Sequence, residues 1–326
     1  VNAGIRYSLF SALGPRSYYQ YASDMLPHES TITDTITAGA GKFMKTYHGP
    51  EFRLSARYAF TDNFSVKAGF NSMRQYIHKL SNTVIMSPTD TWKLSDVNIK
   101  PQRGWQAAAG LYLNSPSGIW EYSVEGYYKR MSDYLDYRGG AKLLMNHHIE
   151  TDVINTQGHA YGVELQVKKQ VGKLNGWMSY TYSRTFLRQN DKRIEKPVNN
   201  GDWYPTEYDK PHDFKFVGNY KFTHRYSMSI NVDYSTGRPT TIPAGQYYDE
   251  STQSMRVYYT ERNSYRIPDY FRTDISFNIE PSHHLTLLTH SSISIGVYNV
   301  TGRKNVYSIY YMPEEGQIKG YQMSIF

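Results

Sequence analysis

The chain has 326 residues, no cysteine, a formal net charge of +7 and a mean hydropathy of −0.64. The absence of cysteine excludes a disulfide framework, a thiolate metal site and a cysteine nucleophile. No apolar run approaches the roughly 18 residues that a membrane-spanning helix requires, so any passage through a bilayer has to be made with strands.

Taken in order, eleven segments alternate apolar and polar residues, at about 2–13, 51–60, 64–73, 103–113, 119–130, 160–170, 176–187, 211–222, 226–236, 269–279 and 289–300. The first begins almost at Val1, which reads as a start in the middle of a longer protein with no signal peptide ahead of it. In the sixth, Tyr161, Val163, Leu165 and Val167 share one face while Gly162, Glu164, Gln166 and Lys168 share the other, because strand side chains have period two. In the eighth, Phe214, Phe216, Tyr220 and Phe222 stand against Asp213, Lys215, Asn219 and Lys221. The ninth sets Tyr226, Met228, Ile230, Val232 and Tyr234 against Ser227, Ser229, Asn231, Asp233 and Ser235. No window sustains the helical period of about 3.6.

Charge keeps to one face. Arg6, Arg53, Arg57, Lys67, Glu121, Glu125, Lys129, Glu164, Lys168, Asp213, Lys215, Lys221, Asp233, Arg272 and Asp274 all fall on polar faces, and the middles of the apolar faces hold none. With nine basic and six acidic members, this set reads either as a lumen that attracts anions or as a mixed-charge solvated wall. Alternation alone also fits a soluble antiparallel sandwich. Strand length separates the two, since globular strands cluster near about five or six residues and a tilted membrane strand needs about nine to eleven. Connection length agrees. Short turns at Thr61–Asn63, Asn114–Gly118, Gly172–Asn175 and Thr223–Arg225 alternate with long connections at 14–50, 74–102, 131–159, 188–210 and 237–268, the pattern of a membrane barrel with its long loops at one end. Trp105, Trp120, Tyr128, Trp177, Phe186 and Phe222 near strand ends suit an interfacial girdle. The expected fold is therefore all-β, an antiparallel transmembrane β-barrel.

Motifs of catalysis are sparse. His147 and His148 with Glu150 and Asp152 lie in a long connection, where adjacent histidines point apart and do not converge on a metal. His283 and His284 fit a turn after Pro281. His212 and Asp213 are neighbours on a strand and face opposite ways. No nucleophile elbow, phosphate-binding glycine loop or basic run suited to nucleic acid appears, so we expect no enzyme, no catalytic or metal residue, no cofactor and no nucleic-acid partner. Binding residues are expected among loop aromatics: Trp203, Tyr204, Tyr247, Tyr248, Tyr258, Tyr259 and Tyr265 cluster at 188–210 and 237–268, where rigid rings either stack on a ligand or pack the loops together.

Several segments carry a family resemblance. Gly158–Gly176 (GHAYGVELQVKKQVGKLNG), Trp177–Thr185 (WMSYTYSRT), Tyr208–Phe222 (YDKPHDFKFVGNYKF), Gly237–Pro243 (GRPTTIP), Arg266–Ile279 (RIPDYFRTDISFNI) and Val297–Tyr311 (VYNVTGRKNVYSIYY) resemble the C-terminal barrel region of TonB-dependent outer-membrane receptors. The likeness runs from about Val1 to Phe326, and Gln75–Asn82 (QYIHKLSN) and Asn98–Gln102 (NIKPQ) resemble the Bacteroidetes branch that begins with a carboxypeptidase-like regulatory domain. The resemblance implies a barrel of about 22 strands around an N-terminal plug, which imports a scarce or bulky nutrient (siderophore, peptide or glycan) across the bacterial outer membrane with its long loops extracellular. Implied partners are outer-membrane lipid or lipopolysaccharide, the TonB complex through a plug region absent here, the remaining barrel half and plug of the same polypeptide, and a surface lipoprotein. Strand parity then places residues 1–326 at roughly strands eleven to twenty-one. An odd number of antiparallel strands ends on the loop side, and Phe326 lacks the alternating apolar residues of a closing strand, so 301–326 reads as a last outer loop with the final strand missing. The alternatives are a plugless passive porin, which needs a complete barrel, and a soluble glycan-binding β-sandwich adhesin, which needs the apolar faces buried between two sheets.

Overall fold

The computed structural model describes residues 1–80, 91–138, 146, 148–189, 191, 193–194, 197–249, 254–280, 291–314 and 317–325. Eleven strands form one sheet, each hydrogen-bonded to the next in chain order. They are β1 (Asn2–Leu13), β2 (Phe43–Ala59), β3 (Phe64–Gln75), β4 (Gln102–Asn114), β5 (Trp120–Tyr137), β6 (Val153–Lys169), β7 (Leu174–Arg188), β8 (His212–Lys221), β9 (Tyr226–Ser235), β10 (Tyr270–Ile279) and β11 (Ile293–Val297). Every pairing is antiparallel, and a two-residue strand, Tyr204–Pro205, adds to the end of β7. The sheet is thus a run of consecutive staves of a barrel wall.

Register places the alternating residues as the sequence reading expects. One row runs Leu113–Tyr122–Val167–Met178–Phe216–Val232 across six strands. A row three positions along, on the opposite face, runs Lys67–Gly110–Glu125–Glu164–Thr181–Asp213. Burial on these faces is inverted relative to a soluble protein: along β4 and β5, Trp105, Leu111, Leu113, Tyr122 and Val124 are exposed, while Gln106, Tyr112, Ser123, Glu125 and Lys129 are half-covered. Ile5 is 77% exposed, Leu9 68% and Ile295 63%. The sandwich reading fails on this point, because no second sheet covers the apolar face among the described residues. Such a surface is stable against lipid and costly against water. The buried apolar cluster is small and lies beneath the long connections, where Leu80, Ile99, Ile149 and Val153 pack with Leu135 and Tyr137.

On the polar face charges neutralise one another. Arg6 pairs with Glu51, Lys168 with Glu121 at 3.5 Å and Arg272 with Asp274 at 2.8 Å. Gly162 is required there because Tyr127 lies across it; a Cβ at this position would sit 2.9 Å from the Tyr127 ring and 2.7 Å from the Tyr182 carbonyl oxygen. Two of the short turns share one device. Thr61 Oγ1 accepts from the Asn63 and Phe64 amides, and Thr223 Oγ1 accepts from those of Arg225 and Tyr226, a side-chain substitute for a backbone turn.

Four features differ from the sequence reading. First, β2 starts at Phe43 rather than near 51, β5 continues to Tyr137 rather than 130, and β6 starts at Val153 rather than near 160. The added stretches break the alternation: Gly49 and Pro50 interrupt β2, and in β5 Asp133, at φ 56, sits at a register shift that flips the phase. Second, β11 is described over Ile293–Val297 and ends before 300, because Asn299 enters the left-handed region at φ 52 and gives its N–H to Asp274 Oδ1. Third, Trp177 stands opposite Lys168 and Val217 on the polar face, so it belongs to no lipid-facing girdle. Fourth, 301–326 contains its own hairpin, Asn305–Glu314 with Gln317–Ile325, separate from the wall. It contacts β10 and the hairpin Pro243–Asp249/Ser254–Tyr259, at the long-connection end.

Candidate functional site

Where the strands outrun the regular wall, their polar-face residues meet the long connections around an open cavity of about 1410 Å³. The extension of β5 supplies Tyr134 and Asp136, the connection after β7 supplies Asn199, Tyr204 and Glu207, and the connection after β9 supplies Tyr247, Tyr258, Tyr259 and Arg262. Register explains the orientation: after the shift at Asp133, Tyr134 and Asp136 pair with Thr156 and Ile154, in the same phase as Gly162 and Glu164. A cavity of this size takes a bulky polar solute, and the smaller one at the short-turn end, about 250 Å³ beside Arg57, Tyr112 and Glu125, does not.

The floor of the cavity is a charged knot. Asp136 Oδ2 accepts from the Tyr204 hydroxyl at 2.6 Å and from Arg262 Nη1 at 2.6 Å. Asn199, itself left-handed at φ 49, clamps Arg262 by accepting from its N–H at 2.8 Å and donating to its carbonyl at 3.1 Å. Asn263, at φ 57, donates to the Pro205 carbonyl at 2.8 Å. Two connections far apart in sequence are thereby joined. Burial, followed by the neighbouring Asp136 charge, pushes the Glu207 carboxyl up to about 7, with Arg238 and Arg262 opposing the rise. Arg138 also lines the cavity, and its Nε is buried without a hydrogen-bond partner among the described residues. The site thus offers tyrosine rings, mixed charges and a carboxyl pushed up to about 7 by burial.

The seven aromatics expected to bind ligand are divided by the structure. Tyr204, Tyr247, Tyr258 and Tyr259 line the cavity. Tyr204 is fully buried within the knot, so it supports the site, whereas the other three present exposed rings. Tyr248 and Tyr265 are exposed away from the cavity lining. Trp203 faces the other way. Adjacent residues of a strand alternate, and with Tyr204 turned inward Trp203 lies on the apolar side, edge-on to His159 at 4.3 Å between ring centres. His147, His283 and His284 fall outside the described residues. His148 packs against Tyr19 with the rings tilted and their centres 4.7 Å apart, and among the described residues no cluster of three or more His, Asp or Glu is placed to hold a metal.

Sequence reasoning missed Glu207, and it missed Asp136 and Arg262 because Asp136 meets Tyr204 and Arg262 across 68 and 126 residues. It also left unexplained why separate motifs keep their spacing. They converge below the cavity. Asp209 of YDKPHDF is fully buried; it accepts from the Thr185 amide at 2.7 Å and from Arg184 at 3.3 Å, both in WMSYTYSRT, and pairs with Arg266 of RIPDYFR. Arg266 also donates to the Gly237 carbonyl of GRPTTIP at 3.0 Å, and Asp269 accepts from the Gly237 N–H at 2.8 Å. Asn305, in the last motif, closes the node by bonding both backbone groups of Phe271.

Comparison with known proteins gives a consistent result. Residues 1–300 match the family model described as TonB dependent receptor-like, beta-barrel. Among solved structures, the closed form of the ferric-catecholate import receptor Fiu from Escherichia coli K12 is similar over 94% of this chain and 38% of its own, with TM-score 0.54 and 15% identity. The FrpB iron transporter from Neisseria meningitidis is similar over 93% of this chain and 38% of its own, at 0.54 and 14%. The copper transporter OprC is similar over 94% of this chain and 40% of its own, at 0.55 and 13%. At these identities the likeness is one of fold, and the chain spans well under half the length of the receptors it matches. A comparison with curated proteins gives no match.

Proposed function

This chain belongs to the TonB-dependent receptor β-barrel family, and from that premise we propose that it forms part of the wall of an active outer-membrane importer, with its long connections outside the cell. In this reading residues 1–326 are roughly strands eleven to twenty-one of the barrel, and the plug, the TonB-contacting segment and the remaining staves belong to the same polypeptide. The motifs Gln75–Asn82 and Asn98–Gln102 support the Bacteroidetes branch with a carboxypeptidase-like regulatory domain, and a surface lipoprotein is a fitting partner for loops this long. The chain acts as a receptor and carries no catalysis of its own.

One observation carries the reading: an open cavity of about 1410 Å³ sits at the long-connection end on the polar side of a wall whose other side is apolar. Its exposed rings at Tyr247, Tyr258 and Tyr259 and its mixed charges suit a bulky solute with ring or peptide faces and polar edges, captured before it reaches the lumen. The test is ligand binding and uptake by cells carrying the intact receptor with Tyr247, Tyr258 and Tyr259 replaced by alanine. Loss of uptake at normal surface abundance supports the assignment. Unchanged binding and uptake of the natural nutrient would remove these rings from it.

A further inference from the structure

The cavity among the long connections contains both signs of charge, but only one sign is left without a partner. We infer that it selects solutes by an organic ammonium group, which the Glu207 carboxylate binds while the rings of Tyr247, Tyr258 and Tyr259 cover the adjoining apolar stem. The inference rests on the preceding reading of this cavity as the capture site and names the chemistry of what it captures.

The cations of the cavity are already engaged. Arg262 Nη1 donates to Asp136 Oδ2 at 2.6 Å, and the Tyr204 hydroxyl donates to the same oxygen. Arg138 lies in the field of Asp152 and Asp191, and Lys79 also has a partner. His78 is buried with its Nε2 3.1 Å from Ser95 Oγ, and burial holds the imidazole below its ordinary range, so it adds no charge at neutral pH. The acids differ. Glu207 and Glu261 line the cavity, and neither side chain has a hydrogen bond or ion pair among the described residues.

Glu207 feels Asp136 of β5 and, from the connection after β9, Arg238 and Arg262. Asp136 claims Arg262, and Arg238 donates to the Tyr307 carbonyl, so neither guanidinium closes on Glu207. A half-buried carboxyl in this position gives up hydration that no protein donor replaces. An ammonium supplies N–H donors and the opposite charge together. Tyr247, Tyr258 and Tyr259 are exposed on the same cavity, and tyrosine faces attract that charge through their π systems. A bare metal ion would need several converging oxygen ligands, and among the described residues no cluster of three or more acidic or histidine side chains supplies them. An unpartnered carboxyl beside open rings, in about 1410 Å³, therefore fits an organic cation.

The test titrates the intact receptor in detergent with 2-phenylethylammonium, which stays protonated from pH 6 to 8, and with the uncharged 2-phenylethanol of the same shape. At pH 8 the ammonium binds about ten-fold more tightly than the alcohol. A cation draws the proton from Glu207, whose carboxyl burial raises to about 7, so affinity for the ammonium falls about ten-fold from pH 8 to pH 6. Glu207→Gln abolishes both the preference and the pH dependence, which separates Glu207 from any titration of His78. Equal binding of the alcohol, affinity that rises toward pH 6, or an unchanged preference in Glu207→Gln overturns the inference. Folding is verified by heat-modifiable gel migration, and if the variant does not fold, the charge preference and the pH profile of the unaltered receptor decide. The capture reading fails separately. If replacing the three tyrosines abolishes uptake while the receptor shows no ammonium preference, the cavity captures its nutrient by other chemistry and only the ammonium is overturned; if uptake is unchanged while the preference depends on Glu207, the ammonium site stands and the capture reading falls.

Discussion

Removing the Asp209 carboxylate should loosen the whole long-connection end. Its side chain has no solvent exposure and meets Arg184 at 3.3 Å, the Thr185 amide at 2.7 Å and Arg266. Asp209→Ala strips the acceptor from two guanidiniums and one backbone N–H. Breaking a buried ion pair by deleting one partner costs about 3–5 kcal/mol, since the other charge stays buried without compensation. Asp209→Asn keeps an acceptor for Thr185 and loses only the charge, so it should cost less than alanine. Arg266→Lys should fall between them, because a single ammonium cannot bridge Asp209 and the Gly237 carbonyl together. The assay is hydrogen exchange by mass spectrometry on the intact receptor, reading peptides over 206–211 and 237–243. A local loss of about 3–5 kcal/mol corresponds to exchange faster by about 10² to 10³ or more. If exchange in Asp209→Ala stays within about ten-fold of wild type, the node does not hold these connections together and the reasoning fails.

Three further outcomes are expected. Glu207, raised by burial to about 7 from an ordinary 4.5, binds a proton that the unfolded chain has already lost; stability should therefore fall as pH rises from the ordinary value through 7, and Glu207→Gln should flatten that slope in thermal melts. Val124→Arg on the outward face should destabilise the barrel by about 2–4 kcal/mol in vesicle-folding titrations, whereas Ser123→Arg on the opposite face should be nearly neutral; equal effects would mean the faces are misassigned. Gly162→Val should lower the yield of folded, heat-modifiable barrel, since its side chain would overlap the Tyr127 ring and the Tyr182 carbonyl, and Tyr127→Ala should restore part of it.

Much of the wall was legible in the sequence because lipid on one side and water on the other impose a period of two over long strands. Tyr226 through Ser235 and Tyr161 through Lys168 show it residue by residue. Legibility stops where the strands leave the membrane. Around Gly49, Pro50 and Asp133 the apolar requirement lapses and register is set by turns and bulges instead. The site was less visible still. Trp203 and Tyr204 look equivalent in a loop rich in aromatics, and only a two-residue pairing with β7 sends one outward and the other into the cavity. Asp136 and Arg262 meet across 126 residues, and nothing local in either segment marks the pair. The motifs that carry the family resemblance proved to be the bolts of the fold, with Asp209 and Arg266 at their centre.

The barrel assignment depends on which face of the sheet meets lipid. With no cysteine in the chain, residues 121 to 125 of β5 can be spin-labelled one at a time through cysteine in the intact receptor, reconstituted in bilayers, and tested for collision with dissolved oxygen and with a water-soluble nickel chelate. A lipid-facing even phase predicts strict alternation, with labels at Tyr122 and Val124 open to oxygen and closed to nickel, and labels at Glu121, Ser123 and Glu125 low in oxygen exposure. Equal accessibility along the strand, or nickel reaching Val124 as readily as Ser123, would contradict it.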